Sequence, residues 1–142
     1  MSMDRDELAA LAREACGRAH APYSGIHVGA AIRSAAGAVY TGTNVENAAY
    51  PLGNCAEASA IAAGVQAEGT QFRIAETAVW AFDRAGRSIA ISPCGGCRQR
   101  IREFAADGRV NVHFPWQGGS LRTATVDELL PYAFELPGAR AP

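Results

Sequence analysis

The chain has 142 residues, 49% hydrophobic and 19% charged, with a formal net charge of −1. This length is near the mode for one folded domain, so residues 1–142 are expected to form a single domain that needs no disulfide staples. All thirteen basic residues are arginine and none cluster, which argues against a nucleic-acid polymer as partner, and no run approaches the ~20 apolar residues of a membrane span. The amino terminus reads Met-Ser-Met-Asp-Arg-Asp-Glu and lacks the apolar run of a signal peptide. The expected address is the cytoplasm, where the four cysteines act as ligands or packing rather than as disulfides.

Asp4 to Ala19 reads as a helix capped by Asp4, with Leu8, Leu11, Ala15 and Cys16 on one face. Pro22-Tyr23-Ser24-Gly25 ends it. Val28 to Ser34 is an apolar strand, and Ala35-Ala36-Gly37 turns into a second strand from Ala38 to Thr43. Asn44 to Asn54, with Pro51 and Gly53, is a loop. Cys55 to Val65 is an Ala-rich helix ending near Gly69. Thr77 to Phe82 is a buried strand, and Ser92 to Phe104 a loop feeding a helix. Val110 to Phe114 is a further strand, parallel or antiparallel, and Val126 to Leu130 a short helix. The order αββαβαβ implies an α/β domain of two or three layers.

Chemistry concentrates in Cys55-Ala56-Glu57 and Pro93-Cys94-Gly95-Gly96-Cys97. Three thiols can hold zinc and leave its fourth tetrahedral position to water. Cys55 opens one predicted helix, and Cys94 and Cys97 open another. Helix N-termini offer free N–H groups and partial positive charge, which favour thiolate. Glu57, two residues beyond Cys55, shares its site only if Cys55 lies at the helix mouth, with Asn54 as a candidate cap. There Glu57 can move the water's protons. Two readings compete. A closed structural zinc site needs a fourth ligand from Cys16, His20, His27 or His113, none at paired ligand spacing. A redox role for Cys94 and Cys97 leaves Cys55 and Glu57 without function. His27 reads as an exposed strand residue.

Several motifs in order resemble the small homotetrameric cytidine deaminases. They are Pro22-Tyr23-Ser24, Val28-Gly29-Ala30-Ala31, the run Gly42-Thr43-Asn44-Val45-Glu46-Asn47-Ala48-Ala49-Tyr50, Cys55-Ala56-Glu57, Ser92 to Gln99, and Leu129 to Phe134. The resemblance implies a three-layer α/β/α fold on a central mixed five-stranded sheet. It implies zinc-dependent conversion of cytidine and deoxycytidine to the uridines, a step of pyrimidine salvage. Carried over, Cys55, Cys94 and Cys97 hold one Zn2+ per subunit, and Glu57 carries protons to N3 and the departing amine. Ala56 and the Cys94 region border the base. Asn44 and Glu46 meet the ribose hydroxyls, Tyr50 lines a subunit interface, and Phe134 reaches a neighbouring subunit's base in a shared-site tetramer.

Two positions depart from the family pattern. Ala58 stands where Arg often follows the catalytic Glu, so Arg98 is the candidate to balance thiolate charge. Ile26 stands where Phe is usual and offers the base apolar contact alone. The alternatives are a deaminase of another aminopyrimidine nucleoside, of the blasticidin-S type, or a non-catalytic zinc module.

Overall fold

The computed structural model describes residues 4–138. Asp4 caps the first helix by accepting from Glu7 N at 2.9 Å, and Asp6 and Glu7 add negative charge at its positive end. This helix, α1, spans Arg5–Ala15 and continues as a short 3-10 turn over Cys16–Arg18. Its buried stripe is Leu8, Ala9, Ala12 and Ala15. Leu11, expected on that face, is only half-buried because small residues make the close contact.

Five strands follow: β1 (His27–Ser34), β2 (Val39–Thr43), β3 (Ile74–Phe82), β4 (Asn111–Pro115) and β5 (Leu121–Thr125). They form one sheet in the order β2-β1-β3-β4-β5. β1 pairs antiparallel with both β2 and β3. β3 and β4 are parallel, which decides the orientation left open by sequence. β5 adds antiparallel to β4 and was not assigned from sequence. Three further helices are α2 (Ala56–Glu68), α3 (Gly95–Phe104) and α4 (Val126–Leu129).

Adjacent residues of β1 feed different cores. Ala31 packs in the α1 layer with Leu8, Ala12 and Ala78. Ala30 and Ile32 pack on the opposite face with Ala56, Ala60 and Ile61 of α2 and Ile101 of α3. Both sheet faces are covered, which explains the nearly unbroken burial along β1 and the expected three layers. Fully buried Phe72, Ile32, Ile74 and Leu8 each contribute roughly 1.5–3 kcal/mol by leaving water.

Glycine sets the spacing of the layers. A Cβ on Gly42 would lie 2.4 Å from Ala60 N in α2, and one on Gly29 2.0 Å from Ala12 O in α1. No side chain fits at either contact.

Candidate active site

Two helix starts converge at the end of the sheet where β1 begins and β2 ends, beside Val28 and Asn44. Cys55 is the N-cap of α2, in extended conformation at φ −80° and ψ 156°. Its side chain therefore projects beyond the helix, as the shared use of Cys55 and Glu57 required. Asn54 does not cap; its Nδ2 donates to Ser59 Oγ at 3.3 Å. Cys94 caps α3 in the same extended form. Cys97, in the first turn of α3, is buried.

The Sγ atoms of Cys55, Cys94 and Cys97 lie within 4.8 Å of one another. Zn–S bonds of about 2.3 Å in a tetrahedron require sulfurs roughly 3.8 Å apart, so a small inward movement seats the ion. Burial pushes the Cys55 and Cys97 thiols up from their ordinary value. Burial acts on Cys94 too, but the first-turn N–H groups of Cys97 and Gly96 outweigh it and hold that thiol lower. A sulfur trio held at helix mouths, with two of its thiols costly to ionise without a nearby cation, suits a metal ion.

The candidates for a fourth ligand lie elsewhere. Cys16 Sγ donates to Ala12 O and Trp80 O in the α1 layer, and burial pushes it up to about 11. His113 is buried on the α1 side, its Nε2 paired with Glu76 and its Nδ1 2.7 Å from Thr123 Oγ1. Neither His20 nor His27 joins the sulfur cluster. The three thiols leave a metal position open.

Glu57 lines the same cavity and is only 5% exposed. Desolvation raises its carboxyl above the ordinary value, against the opposing pull of the Cys97 thiol and the Arg100 charge. The cavity measures about 680 Å3, ample for a nucleoside. Ala56 and Ile26 also line it, and Tyr50 stands at its edge with Tyr23 at a ring distance of 6.0 Å. Among the described residues, no arginine contributes to the lining, and its only carboxylates are Glu46 and Glu57.

Asn44 and Glu46 face this cavity, but they also fasten its wall. Asn44 Oδ1 accepts from Val28 N, and Nδ2 donates to Ile26 O, both at 2.8 Å. Glu46 Oε1 accepts from Tyr23 N at 3.0 Å and Ser24 N at 3.1 Å, while Oε2 accepts from Ser24 Oγ. The Ser24 hydroxyl, foremost among these donors, holds the Glu46 carboxyl below its usual range. One Asn44 N–H and one lone pair of Glu46 Oε2 remain for a ligand. Sequence reasoning gave Tyr23 and Ser24 no role; the signal was their place in a matched motif. It also missed Ile89 and Ile91, whose alternating spacing ahead of Pro93 marks a strand-like wall.

Phe134 stands outside the cavity, 71% exposed, with its backbone held both ways by the Gln99 amide. Arg98 does not reach the thiols. Its Nε donates to Pro93 O at 2.7 Å, and its two terminal nitrogens to Leu129 O and Ser92 Oγ, each at 2.8 Å. It clamps the Ser92–Cys94 loop to α4. Arg98→Ala should lower unfolding stability by about 1–3 kcal/mol in urea denaturation, because it orphans these acceptors. Arg98→Lys should restore little, since a single ammonium cannot span all three. An unchanged urea midpoint in Arg98→Ala would refute the clamp.

Residues 2–113 match the family described as the cytidine and deoxycytidylate deaminase zinc-binding region. The chain belongs to this deaminase family. A cytidine deaminase of Sporosarcina psychrophila is 38% identical over 132 residues, 93% of this chain and 92% of that protein. The cytidine deaminase structure from Burkholderia pseudomallei superposes with a TM-score of 0.80 at 36% identity, covering 93% of this chain and all of the other. A blasticidin-S deaminase of Bacillus cereus is 34% identical over 110 residues, 76% of each chain. The expected family, α/β fold and enzyme class thus stand, and the cysteine trio falls within the zinc-binding region of the deaminase family. Among the described residues, no helix is long and apolar enough to cross a membrane.

Proposed function

We propose that the protein hydrolyses cytidine and 2′-deoxycytidine to uridine and 2′-deoxyuridine with release of ammonia, in cytoplasmic pyrimidine salvage. One observation carries this reading: three thiols and a buried carboxylate share a cavity of nucleoside size that, among the described residues, no basic side chain lines. Cys55, Cys94 and Cys97 would hold one zinc per subunit, which supplies a Lewis acid and acidifies water.

The remaining work belongs to the chain's own side chains. Glu57 takes one proton from the water that attacks C4 and passes it to N3 of the pyrimidine, then takes the second from the new C4 hydroxyl and passes it to the amino nitrogen as the C4–N bond breaks and ammonia leaves. Ala56 and the backbone around Cys94 border the base, and Ile26 gives it apolar contact. Asn44 and Glu46 turn their spare hydrogen-bonding capacity to the ribose hydroxyls. Tyr50 and Phe134, 74% and 71% exposed, suit a homotetramer in which neighbouring copies complete each cavity. Residues 1–142 work as one domain, and reduced thiols fit a cytoplasmic setting.

The test is the ultraviolet absorbance change of purified protein with cytidine, deoxycytidine, cytosine, deoxycytidine monophosphate and blasticidin S. Both nucleosides should react. The monophosphate should show kcat/KM about a hundredfold lower, because its added charge meets the Glu46 carboxylate and, among the described residues, no cation in the lining. The Bacillus cereus relative supports a second reading, in which blasticidin S is the preferred substrate. Turnover of blasticidin S without turnover of either nucleoside would replace the first reading with the second.

A further inference from the structure

Arg98 is spent on carbonyl and hydroxyl acceptors, yet three thiolates on a dication leave one net negative charge. The cation that meets it lies one half-turn further along α3. Arg100 follows Cys97 by three residues, which puts both side chains on one helix face. Its NH1 donates to Cys97 Sγ at 3.7 Å. A neighbouring glycine opens the route. A Cβ on Gly96 would lie 3.3 Å from that same NH1 and 4.0 Å from Cys94 Sγ. The bare backbone at Gly96 therefore lets the guanidinium lie along the sulfur cluster. Among the described residues Arg100 has no carboxylate at ion-pair distance.

We propose that Arg100 is a positioning residue that neutralises the cysteine cluster and so strengthens its hold on the metal. The inference rests on the zinc reading of that cluster. Ala58, half-buried on α2, carries no charge that could share the task. Arg100 is exposed, so solvent screens part of its effect. Partners that hydrogen-bond metal ligands typically change metal affinity 10- to 100-fold, and the lower end of that range is expected here.

The experiment titrates purified holoenzyme with a chromophoric zinc chelator and reads the zinc dissociation constant, with kcat and KM measured at saturating zinc. Arg100→Gln should weaken zinc binding about tenfold. Arg100→Lys, which keeps the charge, should stay within about threefold of the parent. Arg109→Gln, an equal loss of charge at an exposed site away from the cluster, should leave it unchanged. Parental zinc affinity in Arg100→Gln overturns the proposal, and so does an Arg100→Lys variant as weak as the glutamine one. If the parent holds no zinc that Cys97→Ser abolishes, the zinc reading itself fails. Zinc held by the parent and equally by Arg100→Gln sinks this inference alone.

Discussion

Glu57→Gln should lower kcat by about 10²–10⁴-fold while the protein stays folded and keeps its zinc. Glutamine preserves the shape of a side chain that is 5% exposed, so the packing around it is retained. It also removes a charge that burial opposes, so the melting temperature should not fall. The three sulfurs form the donor cluster without Glu57, so zinc content should match the parent. What disappears is a group able to accept a proton and release it again, since a carboxamide does neither near neutral pH. The loss should fall on kcat, with KM altered little, because the proton is needed in the transition state more than in binding. The decisive measurements are steady-state kinetics and metal analysis on one preparation. Turnover within a few-fold of the parent would remove Glu57 from the proton path. Loss of zinc would make Glu57 a ligand.

The thiol cluster was legible because the chemistry restricts it. Three thiols, two helix starts and an acid two residues from the first thiol leave few other arrangements, and the extended caps at Cys55 and Cys94 follow from that geometry. Helical phase bears on the two arginines of α3. Arg98, next to Cys97, points about 100° around the helix, whereas three residues bring Arg100 back over the sulfur. The fastening role of Asn44 and Glu46 was not available locally. It depends on the loop before β1 folding back across some twenty residues, as in the Tyr23 and Ser24 contacts to Glu46. β5 was invisible for a related reason. Leu121-Arg122-Thr123-Ala124-Thr125 is a half-polar segment, and its state is decided by an edge of β4 already in place.

Gly29→Ala should destabilise the fold by about 3–5 kcal/mol, a large share of the roughly 5–15 kcal/mol typical of whole domains. The added Cβ would sit 2.0 Å from Ala12 O and 2.8 Å from Cys16 N. Both atoms are backbone, so no rotamer change relieves the clash. Helix α1 and the turn after it must lift from β1, opening the cluster of Leu8, Ala9 and Ala12 over Ala31 and Ala78. Gly17→Ala is the matched control. Nothing lies within 4 Å of its Cβ, so its effect should stay within about 0.5 kcal/mol. The damage should also reach the cavity. The chain leaving α1 runs through His20, whose N bonds Asn44 O at 3.2 Å and whose O accepts from Glu46 N at 2.9 Å. A few residues on, Tyr23 and Ser24 hold the Glu46 carboxylate. Shifting α1 therefore moves the segment that aims Asn44 and Glu46, and KM for the nucleoside should rise in whatever folded fraction survives. A urea midpoint for Gly29→Ala equal to that of Gly17→Ala would mean that α1 does not rest on β1 at this distance, and the link from the α1 layer to the Asn44 and Glu46 end of the cavity would fail with it.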